Sequence, residues 1–179
     1  MEHFDVIIVG AGISGVSAAV HLDRECPDQS YCVLERRESV GGTWDLFKYP
    51  GIRSDSDMHT LGFNFKPWKE SKAIADGPSI LKYVKETTQE YGIDEHIKFS
   101  HKLTNAQWSS HDAKWTLDVD HGDAQTQMSC NFLFMCSGYY SHDEVHDPRI
   151  DGVEKFAGEM VNPQFWPEGL KYKGKRVVV

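Results

Sequence analysis

The chain has 179 residues, 40% of them hydrophobic, and a formal net charge of −8 at pH 7. This length suffices for one domain with a core, and a negative charge without a basic stripe argues against nucleic acid as a partner. The four cysteines form no C-x-x-C pair, so we expect reduced thiols. The sequence shows neither a signal peptide nor an apolar stretch of membrane-spanning length, so we expect a cytoplasmic protein and leave peripheral membrane association open.

The first predicted element is a buried parallel strand from Asp5 to Val9 that runs into a glycine-rich turn and a helix. Three glycines follow it at the G-x-G-x-x-G spacing, Gly10, Gly12 and Gly15. In this motif the first glycine permits the sharp turn, the second lets a pyrophosphate approach the backbone, and the third lets the helix pack closely on the strand. Free N–H groups at the helix N-terminus bind phosphates. The pattern predicts dinucleotide binding; the alternative is a turn that only packs.

The helix is expected to end at Pro27, and a second strand is predicted from Tyr31 to Glu35. Glu35 lies twenty residues after Gly15. Its carboxylate is therefore placed to accept hydrogen bonds from a ribose 2′-hydroxyl. This βαβ opening predicts a parallel sheet with right-handed crossovers.

The residues after Glu35 leave two cofactors open. Arg36 and Arg37 are suited to the 2′-phosphate of NADP, which would make the chain an NAD(P)-binding dehydrogenase domain. The pair Gly41 and Gly42 favours FAD, because the backbone must approach this longer cofactor a second time. We therefore predict FAD at this site.

The segment 46–72 has no helical or strand period, so we interpret it as a functional loop or as an irregular surface loop carrying Arg53, Asp55 and Asp57. After it the patterns predict a helix, a short strand, three antiparallel meander strands and an apolar central parallel strand. The helix is predicted at Pro78–Tyr91 and the short strand at Ile97–Phe99. The meander strands are Lys102–Trp108, Lys114–Val119 and Thr126–Asn131, and the central strand is Phe132–Cys136.

A polar linker is predicted from Tyr139 to Pro148. It contains His142 and His146, four residues apart, but outside any helical pattern and without a third ligand, so we predict no metal site. An aromatic, proline-rich connector follows, and a new strand is predicted to begin at Lys175.

Together these residues resemble the N-terminal part of class B flavoprotein monooxygenases of Baeyer–Villiger type. The resemblance implies an α/β fold, a Rossmann-like FAD-binding domain with a parallel sheet and an antiparallel β-meander, and NADPH- and O₂-dependent oxygenation of a ketone or thioether. It divides the chain into an FAD-binding domain (1–140), a linker (141–173) and the first strand of a truncated NADPH-binding domain (174–179). The matching runs are 9–15, 34–35, 41–47, 49–58, 73–77 and 132–140.

The same resemblance implies roles for individual residues. Asp55 matches an active-site aspartate that orients a catalytic arginine. At the adenosine half of FAD, the resemblance implies that the pyrophosphate is bound by Gly10, Gly12, Ser14 and Gly15, the ribose by Glu35 and the adenine by the Leu103 backbone. The flavin side is implied to be lined by Thr43, Trp44, Asp45 and Leu46. The residues implied to face the flavin and the nicotinamide of NADPH are Arg53, Ser54 and Asp55.

Two departures from the family pattern affect these expectations. In the signature F-x-G-x-x-x-H-x-x-x-W-P, Phe156, Gly158, Trp166 and Pro167 match, but Asn162 replaces the histidine and cannot titrate. A second glycine-rich turn for NADPH is absent. We therefore expect a fragment that is inactive alone and that associates with itself through an apolar face; the alternative is a truncated gene product or a non-catalytic FAD-binding module.

Overall fold

A single six-stranded sheet forms the centre of the computed structural model, which describes all 179 residues. Its strands are β1 (Glu2–Val9), β2 (Tyr31–Leu34), β3 (Ile97–Lys98), β4 (His101–Ser109), β5 (Lys114–His121) and β6 (Ala124–Met135). They lie in the order β3-β2-β1-β6-β5-β4. β1 pairs in parallel with β2 and β6, β2 pairs in parallel with β3, and β4, β5 and β6 form the antiparallel meander. The predicted α/β class, parallel sheet and meander are confirmed.

Four α-helices accompany the sheet, α1 (Ile13–Glu25), α2 (Thr43–Leu46), α3 (Met58–Leu61) and α4 (Gly77–Glu90). Short 3₁₀ turns occur at Ile93–His96, Val153–Lys155 and Pro163–Phe165. The two long helices agree with the predicted ones, whereas the one-turn helices α2 and α3 lie in segments that have no helical period. Such short helices depend on tertiary packing rather than on sequence periodicity.

The strand β6 differs from the prediction of two strands, Thr126–Asn131 and Phe132–Cys136. Residues 124–130 pair antiparallel with β5 and residues 128–135 pair in parallel with β1, so the two pairings overlap at 128–130. Asn131 comes directly after the last residue paired with β5, and its Nδ2 donates a hydrogen bond to Asp5 Oδ1 at 3.0 Å. A polar residue that is bonded within the sheet does not end the strand, so the predicted break is wrong.

The sheet separates two apolar cores. The larger one joins Val6 and Ile8 of β1 to the buried faces of α1 and α4. The smaller one joins Ile7 and Val9 of the same strand to Leu117 of β5 and its neighbours in the meander. Both faces of the second half of β1 are therefore covered, as the β-branched run Val6–Val9 predicts.

The end of β6 is less buried than a central parallel strand. Phe132 is 58% exposed, Phe134 43% and Met135 55%, so the expected burial of this run is wrong for these three side chains. Phe132 and Phe134 lie on one side of the strand, with their rings 6.1 Å apart. Self-association through an apolar face stays a prediction.

The predicted strand at Lys175 is not formed. No strand is assigned to residues 175–179, and the backbone hydrogen bond from Lys175 N–H closes a turn on Tyr172 O at 3.0 Å. A strand requires a neighbour to receive its hydrogen bonds, and this segment has none. The division into domains stays a prediction.

All four cysteines are free thiols. Burial raises the pKa of Cys32 to about 12, which keeps this thiol protonated and unreactive. No helix combines the length and the apolar character that crossing a bilayer would require.

Asp76 caps α4, and its replacement gives a first testable result. Its Oδ1 accepts a hydrogen bond from Ser79 N–H at 3.0 Å, and the bonds from Ser79 and then Lys72 lower the pKa of Asp76 from 3.8 to about 2. We expect Asp76→Ala to lower the free energy of unfolding by about 1 kcal/mol at pH 7, measured by urea unfolding.

The pH dependence of the unfolding free energy tests whether Asp76 caps the helix in its charged form. Because the folded pKa is depressed, the stabilisation is complete above pH 3.8 and is lost as the pH falls towards 2. Asp76→Asn is the matched control, since asparagine caps helices about as well but does not titrate. It should retain most of the stability at pH 7 and lose less of it on acidification; equal acid sensitivity in both proteins would contradict this assignment.

Candidate dinucleotide-binding site

A cavity of about 640 Å³ opens where β1, β2 and β6 end. Ligands of open α/β sheets bind in this crevice, outside the carboxyl ends of the strands. Its volume lies within the usual range for small-molecule sites. It is lined by residues from the segments 9–14, 34–36, 41–44, 101–103 and 135–142, together with Leu61.

The N-terminus of α1 faces this cavity without a side-chain cap. Gly12 is the N-cap residue and offers no side-chain hydrogen bond. The first intrahelical bond joins Val16 N–H to Gly12 O at 3.0 Å, so the N–H groups of Ile13 and Ser14 have no acceptor within the helix. Both residues line the cavity. This arrangement of free donors at the positive end of a 13-residue helix fits a phosphate group.

Gly10 and Gly15 shape this turn. Gly10 has φ +103°, and a Cβ on it would lie 2.6 Å from Cys136 O. A Cβ on Gly15 would lie 1.8 Å from Gly10 O. The packing role predicted for the third glycine from the motif is confirmed. Gly15 itself is buried and does not line the cavity, so it shapes the phosphate turn from behind.

Glu35 is held rigidly at the cavity wall. It is 4% exposed, its Oε2 accepts a hydrogen bond from Ala11 N–H at 2.8 Å, and its Oε1 accepts one from Arg37 N–H at 2.9 Å. Each carboxylate oxygen has a second lone pair. Glu35 therefore connects β2 to the glycine turn and retains acceptor capacity for a ribose hydroxyl.

Both arginines after Glu35 are paired with carboxylates. Arg37 Nη2 lies 2.7 Å from Asp45 Oδ2, and Ser39 Oγ donates to the same oxygen at 2.7 Å. Arg36 forms an ion pair with Asp143. Each guanidinium therefore already has a carboxylate partner, which supports FAD over NADP at this site.

Asp45 and Leu46 do not line the cavity. The implied contacts of Asp45 and Leu46 with the flavin stay predictions; the Asp45 carboxylate is turned towards Arg37 and Ser39. The ion pair fixes the turn before α2, and Thr43 and Trp44 of that helix do line the cavity.

The pair Gly41 and Gly42 is required by contacts within the protein itself. Gly41 has φ +124°, and a Cβ on it would lie 2.4 Å from Leu81 Cδ1. Gly42 has φ +53°, and its Cβ would lie 3.1 Å from Gly12 Cα. Gly41 N–H also donates to Ala11 O at 3.0 Å. The two glycine turns therefore touch each other. This contact is a second reason for the glycine pair, besides the close approach of the cofactor that the sequence predicts.

The segment Arg53–Asp55 lies outside the lining of the cavity. It is fixed on the chain before α4, since Ser54 N–H donates to Ala75 O at 3.0 Å. Ser54 is buried, whereas Arg53 and Asp55 are exposed.

Some lining residues were not predicted as site residues, notably Arg36, His101, Lys102, Ser141 and His142. Leu103 was predicted and does line the cavity. Most of the others directly follow the carboxyl end of a parallel strand or lie at the start of the meander. For Arg36, its position just after β2 is the signal that could have identified it as a lining residue.

The chain matches known proteins over nearly its whole length. The model of a family described as NAD(P)-binding Rossmann-like domain matches residues 8–76. The FAD-containing monooxygenase EthA of Mycolicibacterium smegmatis is 57% identical over 178 residues, which are 99% of this chain and 36% of that protein. EthA of Mycobacterium tuberculosis is 58% identical over the same shares. The chain thus spans little more than a third of the curated relatives it matches.

Solved structures give the same result for the fold. Oxidised steroid monooxygenase bound to NADP has a TM-score of 0.78 and 30% identity, over 96% of this chain and 33% of that chain. Cyclohexanone monooxygenase with bound ε-caprolactone has a TM-score of 0.80 and 25% identity, over 98% of this chain and 34% of that chain. These proteins resemble the chain across both the parallel sheet and the meander.

Proposed function

We propose that this chain is the FAD-binding part of a Baeyer–Villiger-type flavoprotein monooxygenase. The observation that carries the proposal is the joint presence, in one cavity, of the uncapped N-terminus of α1 and the buried carboxylate of Glu35. The relatives that match almost all of the chain are named FAD-containing monooxygenases. The pairing of Arg36 and Arg37 with carboxylates supports FAD over NADP at this position.

Each part of the cavity takes one part of the cofactor in this proposal. The N–H groups of Ile13 and Ser14 bind the pyrophosphate, and Glu35 binds the adenosine ribose. The backbone of Leu103 contacts the adenine, and Thr43 and Trp44 contact the flavin side. The cavity lining supports these assignments because it contains all of these residues.

The bound FAD would supply the redox chemistry, accepting electrons from NADPH and using O₂ to oxygenate a ketone or thioether. The protein residues bind and orient it. In this proposal Arg53, Ser54 and Asp55 would face the flavin and the nicotinamide of NADPH, on a segment held by the hydrogen bond from Ser54 N–H to Ala75 O. The names of two similar structures, steroid and cyclohexanone monooxygenase, support cyclic ketones as a substrate class.

FAD uptake by the purified chain tests the proposal. We expect one FAD per chain, detected by flavin absorbance after gel filtration and by quenching of flavin fluorescence during titration. NADP⁺ added at the same concentration should not displace it. A chain that takes up no FAD, or that binds NADP⁺ at this site instead, would overturn the proposal.

Oxygenation is a separate question from FAD binding. The 179 residues contain one G-x-G-x-x-G motif and no second one for NADPH. With FAD, NADPH, O₂ and cyclohexanone, we therefore expect the chain alone to form no lactone, measured by gas chromatography. Lactone formation would show that the residues present suffice for NADPH binding and would contradict the assigned division of roles.

A further inference from the structure

Two cations stand at the end of the cavity that holds Glu35. Arg36 and Lys102 both belong to the lining. Arg36 directly follows Glu35 in the sequence, and an arginine in this region is what dinucleotide sites use to bind a 2′-phosphate on the adenosine ribose. Taken by themselves, these two cations would favour a phosphorylated ribose, whereas the Glu35 carboxylate beside them favours a free 2′-hydroxyl.

Asp143 occupies both of these cations. Its Oδ1 accepts a hydrogen bond from Arg36 Nη2, and its Oδ2 lies 3.1 Å from Lys102 Nζ. The hydrogen bonds from Arg36 and then Lys102 hold the pKa of Asp143 below its usual range. Its carboxylate is therefore charged at neutral pH, and it brings a segment that is remote in sequence to the adenosine end.

The residue before Asp143 shows that this segment belongs to the ligand site. His142 lines the cavity, and its Nδ1 is buried without a hydrogen-bond partner. Burial, followed by the charges of Arg36 and Arg37, lowers the pKa of His142, so the ring is neutral at pH 7.

We propose that Asp143 makes the cavity selective for a dinucleotide whose adenosine ribose has a free 2′-hydroxyl, because it occupies the two cations that a 2′-phosphate would need. This inference rests on the proposed function, since it assumes that a dinucleotide binds with its ribose at Glu35. A 2′-phosphate would meet the negative charge of Asp143 and would find Arg36 and Lys102 already paired. FAD has a free 2′-hydroxyl on this ribose and meets no such conflict.

Competition against bound FAD measures the selectivity directly, with ADP-ribose and 2′-phospho-ADP-ribose as the two probes. We expect the wild-type chain to prefer ADP-ribose. In Asp143→Asn the preference should fall about tenfold or more, since charge-assisted hydrogen bonds to two freed cations become available to the phosphate. Asp143→Ala should behave in the same way, and adding Arg36→Ala to it should restore most of the preference.

Glu144→Gln is the matched control. It removes one negative charge from the next residue, whose side chain is exposed and whose backbone N–H alone is bonded, to Ser141 Oγ at 3.1 Å. This variant should keep the wild-type preference. If FAD binds but Asp143→Asn and Glu144→Gln give the same ratio of affinities, the inference fails and the proposed function stands. If the wild-type chain binds neither FAD nor ADP-ribose, the proposed function fails and the inference fails with it.

Discussion

Among the glycine-to-alanine substitutions in the glycine motif, Gly15→Ala should destabilise the chain most. The new Cβ would lie 1.8 Å from Gly10 O and 3.0 Å from Gly10 C, and both are backbone atoms that cannot rotate away. The helix α1 would have to move off β1, so we expect the free energy of unfolding to fall by about 3 kcal/mol. Urea unfolding followed by circular dichroism measures this change.

Gly12→Ala separates packing from ligand binding in the same motif. Its Cβ would lie 3.6 Å from Gly42 Cα, an ordinary contact, and its φ of −79° suits alanine. We expect this variant to unfold close to the wild-type midpoint but to bind FAD more weakly, because the methyl group projects where the pyrophosphate approaches. If Gly12→Ala and Gly15→Ala were equally destabilised, the structural role assigned to Gly15 would be wrong.

Glu35→Gln should weaken both folding and FAD binding. The two carboxylate oxygens accept backbone N–H groups of Ala11 and Arg37, and glutamine has only one oxygen to offer them. One N–H would then face the amide NH₂, so we expect a loss of about 2 kcal/mol in unfolding free energy. The ribose hydroxyl also loses a charged acceptor, and the Kd for FAD should rise about tenfold.

The control for this substitution lies three residues along the chain. Glu38 is exposed, so Glu38→Gln makes the same change of charge without touching a buried hydrogen bond. It should leave both the unfolding midpoint and the Kd for FAD unchanged within error. A Glu35→Gln protein that matches Glu38→Gln in both measurements would show that the buried carboxylate is not required.

Much of the fold could be predicted from local patterns. The strand β1, its glycine turn and α1 form one continuous signal, and Glu35 follows at a fixed distance set by the βαβ unit. The fusion of two predicted strands into β6 could not be predicted, because it depends on Asn131 meeting Asp5 across the sheet. The failure at Lys175 has a similar cause, since a local β pattern does not reveal whether a partner strand is present.

The site was predictable where the backbone defines it and less so where side chains pair over long distances. Gly10, Gly12, Ser14 and Glu35 line the cavity as expected. The ion pair of Asp45 with Arg37 could not be predicted, because only the fold brings these two side chains together. Asp143 belongs to a segment with the composition of a polar linker, and its position beside Arg36 depends on how the chain continues past the end of β6, which is separated from β2 by β1.

The central position of β1 also determines when the sheet can form during synthesis. His3 of β1 and Ser129 of β6, which are hydrogen-bonded, are separated by 126 residues. At ribosomal rates of about 5–20 residues per second, β6 is made on the order of 10 s after β1. During that interval β2 is the one partner strand available to β1, and the opposite edge of Val6–Val9 stays open. The nascent chain therefore carries an unpaired apolar edge, to which chaperones that bind extended apolar segments would have access before β6 closes it.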